Sequence, residues 1–116
     1  MADLAEARIF ALSLPRTTEE PHHEMTSFRV KGKIFATAPP DEEHLHVFVD
    51  EAEVQACVAD DPAAYEQLMW GKRLAGVRVA LAAAQSDRVA ELLEDAWRRK
   101  APKTVVADFD ARMAER

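Results

Sequence analysis

The stretch Phe28-Arg29-Val30-Lys31-Gly32-Lys33-Ile34-Phe35-Ala36-Thr37 decides the fold. Two runs of aromatic and β-branched residues flank one glycine, the pattern of two strands joined by a tight turn. Gly32 supplies the positive φ that such a turn demands. Strands are expected over residues 25–30 and 33–37, with Phe28 and Val30 sharing one face and Arg29, Lys31 and Lys33 crowding the tip.

Downstream, Pro39-Pro40-Asp41-Glu42-Glu43 is a loop by composition, and residues 44–49 alternate as a third strand. Leu45, Val47 and Val49 face one way there, and His44, His46 and Phe48 the other. Asp50 with Glu53 opens a helix over 51–59 that buries Val54, Cys57 and Val58. Two further strands follow over 65–71 and 76–82, joined by a second basic tip, Lys72-Arg73-Leu74-Ala75. In the second of them Val77, Val79 and Leu81 point inward and Arg78 outward. A long helix spans 87–100 with Ser86 as its N-cap. Val89, Leu92, Leu93, Ala96 and Trp97 form its apolar stripe, and Arg98, Arg99 and Lys100 fill its last turn. Pro102 opens a final helix that docks through Val105, Val106, Phe109 and Met113. Upstream, Asp3 and Glu6 cap a helix over 4–13 that buries Ala5, Ile9 and Leu12 and ends at Pro15. Residues 16–21 read as a polar connector. The sum is an α+β fold: a five-stranded antiparallel sheet with helices packed mainly on one face, in a single domain over residues 1–116.

Composition narrows the function classes. A chain of 116 residues with 48% hydrophobic and 31% charged residues is a globular domain of ordinary make-up. It has no apolar run long enough for a membrane span, so no membrane partner is expected. The start lacks the basic and apolar regions of a signal peptide, and the lone Cys57 fits a reducing compartment; a cytoplasmic location is expected. The net charge of −6 is unlike a generic nucleic-acid binder. That charge is segregated, however. From residue 34 to residue 71 there is no Lys or Arg, and the cations gather around Lys31, Lys72 and Arg98.

Taken in order, Leu12-Ser13-Leu14-Pro15, Thr18-Glu19-Glu20, His22-His23-Glu24, the hairpin from Phe28 to Ala36, Trp70-Gly71-Lys72-Arg73, Gly76-Val77-Arg78-Val79, and Leu92-Leu93 leading to Ala96-Trp97 resemble the MmcQ/YjbR family. The resemblance covers roughly residues 5–105. Where that family often carries Ser-Tyr late in the long helix, this chain has Ala96-Trp97. The resemblance implies a CyaY-like (frataxin-like) fold and a double-wing arrangement of hairpins that binds double-stranded DNA.

The residues suggest two kinds of site. Arg29, Lys31, Lys33, Lys72, Arg73 and Arg78 stand at or beside the hairpin tips, where each cation can neutralise a phosphate; lysines at turns also serve merely to keep sheet edges apart. No Asn, Gln or Arg array suggests base readout, so any DNA contact is to the backbone. The alternative site is a small-ligand or protein-interaction surface on the open sheet face, built from His44, His46 and Phe48 with His22, His23 and Trp97. The same histidines with Glu24 could ligate a divalent ion, but no second spacing signature supports a metal site. The acidic stretch from Asp41 to Glu66 lacks calcium-loop spacing and reads as a solvated face. Cys57 lies on an apolar helical stripe and reads as an inert core thiol, Ser13 and Ser27 lack a nucleophile context, and three glycines make no phosphate loop. A non-enzymatic protein without a cofactor, monomeric or weakly dimeric, is the resulting expectation.

Overall fold

The computed structural model describes residues 1–115. Helix α1 (Leu4–Ser13) leads into β1 (Thr17–His22), β2 (Met25–Val30), β3 (Lys33–Ala38) and β4 (His44–Val47). Then come α2 (Glu51–Asp60), β5 (Tyr65–Trp70), β6 (Arg73–Ala80), a 3-10 turn (Leu81–Ala83), α3 (Ser86–Lys100) and α4 (Lys103–Ala114). The strands form one antiparallel sheet in the order β1-β2-β3-β4-β6-β5.

The expected α+β architecture is present, with six strands instead of five. The added strand is β1, in the segment that reads as a polar connector. Thr17-Thr18-Glu19-Glu20-Pro21-His22 lies at the sheet edge, largely exposed, so it carries no hydrophobic alternation. Pro21 is tolerated because one side of an edge strand needs no ladder bond.

The core lies on one face of the sheet. Phe28, Val30, Ala36, Leu45, Val47, Val77 and Val79 are buried there beneath α1, α2 and α3. The α3 stripe of Val89, Leu92, Leu93, Ala96 and Trp97 is wholly buried. Each buried valine or leucine of that stripe contributes about 1.5–3 kcal/mol by leaving water. Val54 and Cys57 of α2 complete the cover over β5 and β6.

Four local expectations need correction. Helix α1 buries Leu4, Ala7 and Ala11, whereas Ala5, Ile9 and Leu12 face outward, with Ile9 73% exposed. Both sides of this helix are apolar, so periodicity does not choose between them; the small alanines let α1 lie close to α3. The N-cap of α3 is Gln85, and the Ser86 hydroxyl donates to the Met1 carbonyl instead. The second tip is the two-residue turn Gly71-Lys72, with Trp70 paired to Arg73, so Arg73, Leu74 and Ala75 belong to β6. Helix α4 docks without a fully buried residue: Val105, Val106 and Phe109 are half-buried and Met113 is exposed.

Strand directions set the site. Because every neighbour is antiparallel, β2, β4 and β5 all run the same way. The Lys31-Gly32 turn after β2, the exit of β4 at Phe48, and the Gly71-Lys72 turn after β5 therefore lie at one end of the sheet. The last turn of α3 reaches the same end, where the Arg99 guanidinium meets the Phe48 carbonyl.

Candidate functional site

Lys31 (φ 51°) and Gly32 (φ 84°) are both left-handed, the geometry of a tight two-residue hairpin turn matched to strand twist. Lys31 and Lys33 are exposed on the first tip and Lys72 on the second. Among the described residues, none of the three is in a salt bridge. Arg73 lies over the Trp70 ring, 5.8 Å from its centroid.

The other two cations of the expected set lie on the sheet face. Arg29 donates from Nε to the Ser27 hydroxyl at 2.9 Å and from Nη2 to the Pro21 carbonyl at 3.4 Å, clasping β1 to β2. Arg78 stands 3.3 Å from Glu66, on the neighbouring strand. The structure thus brings Lys31, Lys33, Lys72 and Arg73 to one end and leaves Arg29 and Arg78 engaged along the face.

One polar side chain from each strand crosses the open face in register: Glu20, Ser27, Thr37, His46, Arg78 and Glu66. Directly opposed residues share a face, so this row follows from the pairing alone. The Thr37 hydroxyl is 3.4 Å from His46 Nδ1, while His46 Nε2 is buried without a partner. Burial, with the nearby Arg78 charge second, pushes the His46 pKa below the usual imidazole value, so this ring is neutral near pH 7.

A cavity of about 390 Å³ opens on this face. It is lined by His22, Met25, Ile34, Thr37, His46 and Phe48 from the first four strands and the exit of β4, by Trp70, Arg73, Leu74 and Ala75 from β5 and β6, and by Arg99 and Lys100 from the end of α3. The Phe48 and Trp70 rings stand 5.3 Å apart at 60°. Arg99 is held by its 2.6 Å bond from Nη1 to the Phe48 carbonyl.

The histidines do not assemble as one group. His22 and His46 line this cavity, whereas His23 sits exposed in the β1–β2 turn with its ring 4.6 Å from that of His22. His44 turns away to Asp41, whose carboxylate lies 2.8 Å from its Nδ1. That carboxylate is held below its usual pKa by hydrogen bonds from the Glu43 backbone and from His44. No group of three or more His, Cys, Asp or Glu among the described residues is placed to hold a metal ion. Trp97 is also absent from the open face. Its side chain is fully buried in the core, with Nε1 bonded to the Pro15 carbonyl and the ring against Phe109. The tryptophan at the cavity is Trp70, beside the expected Phe48, and sequence reasoning also missed Leu74, Arg99 and Lys100 there. The signal for Trp70 was its place immediately before the basic tip Gly71-Lys72-Arg73.

The sequence profile of the YjbR family matches residues 12–99, three quarters of the chain. The chain belongs to the YjbR family. The match runs from the last turn of α1 to the last turn of α3, so every element of the sheet lies inside it and α4 lies beyond it. The chain is also similar in fold to the crystal structure of Deinococcus radiodurans protein DR2400, which carries a DUF419 domain. The TM-score is 0.71 at 21% identity, over 84% of this chain and 77% of that one. No curated protein matches. No helix of this YjbR-family chain, among the described residues, is long and apolar enough to cross a membrane.

Proposed function

We propose that this YjbR-family chain is a non-enzymatic binding protein that holds the backbone of double-stranded DNA between its two hairpin tips. The observation that supports this reading is the placement of Lys31-Gly32 and Gly71-Lys72 at the same end of one rigid sheet. Two cationic tips at a common end of the sheet can each meet a phosphate strand, and a fixed sheet holds their spacing before contact. The loop that carries Asp41, Glu42 and Glu43 joins β3 to β4 and so lies at the opposite end, removing its repulsion from the approaching backbone.

The test is a titration of labelled duplex DNA at low and moderate salt. Binding is expected near ~50 mM salt and should weaken with log salt by a slope of roughly 0.9 per phosphate neutralised. Replacing Lys31, Lys33 and Lys72 together by Ala should flatten that slope by about two to three units with the fold intact. Binding that is absent at low salt, or a slope unchanged in the triple variant, overturns the reading. Sequence preference is expected to be weak, because the tips present no paired amide or guanidinium groups for base edges.

A further inference from the structure

The open-face cavity is distinct from the lysine tips and has its own chemistry. Three features converge on it. First, the twelve residues that line it include Arg73, Arg99 and Lys100 and no Asp or Glu, in a chain of net charge −6. Among the described residues, Arg73, Arg99 and Lys100 take part in no salt bridge. Second, Trp70 is 54% exposed yet fixed in orientation, with Phe48 on one side and the Arg73 guanidinium over its ring. An exposed indole at a cavity mouth costs hydration free energy that a stacked planar ligand recovers. Third, His46 Nε2 at the cavity wall is buried without a partner. The volume of about 390 Å³ lies in the range of small-molecule sites.

We propose that this cavity binds a planar aromatic ring joined to a phosphate, the chemistry of a nucleoside 5′-phosphate. The ring packs on the exposed surface of Trp70 beside Phe48, and the phosphate meets Arg73, Arg99 and Lys100. A monocarboxylate is served by a single guanidinium fork, whereas three cations around one opening match the nearly doubled charge of a phosphate monoester. Arg99 is already held through the Phe48 carbonyl, so only part of its donor set is spent and little ordering remains when an anion arrives. This inference does not rest on duplex binding at the tips: it uses different residues, save that Arg73 borders both.

The ligand chemistry has two sources, a free nucleotide and the 5′-phosphorylated end of a single strand. The experiment follows Trp70 fluorescence during titration with adenosine 5′-monophosphate, adenosine, ribose 5-phosphate, and a short 5′-phosphorylated oligo(dA). Trp97 is buried and serves as the internal reference. Adenosine monophosphate should quench the signal with a Kd below about 1 mM, and each half-molecule should bind at least about tenfold more weakly. By calorimetry, Trp70→Ala and Lys100→Ala should each weaken adenosine monophosphate by about tenfold or more, while Trp70→Phe restores most of the affinity. An oligonucleotide at least tenfold tighter than the mononucleotide assigns the site to strand ends; comparable or weaker affinity assigns it to free nucleotides. The Lys31/Lys33/Lys72 triple-Ala variant should leave adenosine monophosphate affinity unchanged, and Trp70→Ala should leave duplex binding unchanged, so the two readings fail separately. No binding of adenosine monophosphate or of the phosphorylated oligonucleotide at millimolar concentration, or equal binding by the wild type, Trp70→Ala and Lys100→Ala, overturns the proposal.

Discussion

The indole Nε1 of Trp97 donates a 2.9 Å hydrogen bond to the carbonyl oxygen of Pro15, tying the last turns of α3 to the joint between α1 and β1. The ring meanwhile fills the core and meets Phe109 edge-on at 5.1 Å. Trp97→Phe keeps an aromatic ring and strands the Pro15 carbonyl, so a loss of about 1–2 kcal/mol is expected in urea denaturation. Trp97→Ala also opens a cavity and should cost roughly 3–5 kcal/mol. A Trp97→Phe variant as stable as the wild type would show that the hydrogen bond contributes nothing beyond packing; equal losses for the two variants would show that the ring contributes nothing beyond the hydrogen bond.

Gly76 sits where the end of β4 passes over β6. A Cβ built there would collide with the Val47 carbonyl oxygen and press on Phe48 Cα. Both are backbone atoms, so no side chain can swing away. Gly76→Ala should therefore destabilise the chain by roughly 3 kcal/mol. Gly32→Ala is the contrast: nothing lies within 4 Å of its Cβ position, and only the φ of +84° is strained. That substitution should cost about 1–2 kcal/mol. Thermal unfolding of the pair checks the ranking.

Cys57 should be inert toward thiol reagents in the native state. Its side chain is buried, and burial raises the thiol pKa even though Arg88 Nη2 lies 3.1 Å from Sγ. The thiolate is the reactive form, so exclusion from solvent and a raised pKa act together. Reaction with an aromatic disulfide reagent at pH 8 should proceed only as fast as the chain unfolds, and should become immediate in concentrated urea. Rapid labelling without denaturant would contradict the buried placement.

His46 gives stability a pH dependence. Its folded pKa lies below the unfolded value, because burial and Arg78 oppose the imidazolium. The unfolded chain therefore takes up the proton first as pH falls through the ordinary value of about 6.5. Stability from this group is complete above that pH and is lost progressively down to the folded pKa. Tm should decline between about pH 7.5 and 5.5, and His46→Gln should decline less steeply over the same window. Parallel curves for the two proteins would remove His46 as the source.

Local signals made much of the fold legible. The Lys31-Gly32 turn, the alternation of Leu45 and Val47, and the apolar stripe of α3 each follow from residue type at a fixed period, and each is found in place. Edge strand β1 was not legible, because an exposed edge needs no buried alternation and Thr-Thr-Glu-Glu-Pro-His reads equally as loop. The buried side of α1 was not legible either, since Ile9 and Leu12 oppose a second apolar face of Leu4, Ala7 and Ala11 and only the fit against α3 decides between them.

The site divides in the same way. Residue order alone carries the cationic tips, the YjbR resemblance and the alternation that puts His46 and Phe48 on the face away from the core, because turn chemistry and strand period are properties of neighbouring residues. Long-range pairing and packing are needed to bring both tips to one end of the sheet, to lay Arg29 and Arg78 along its face, and to place Trp97 in the core. The same long-range placement gathers Trp70, Arg73, Arg99 and Lys100 with Phe48 around one cavity. Those relations join residues tens of positions apart through strand order and helix placement, which no local period encodes.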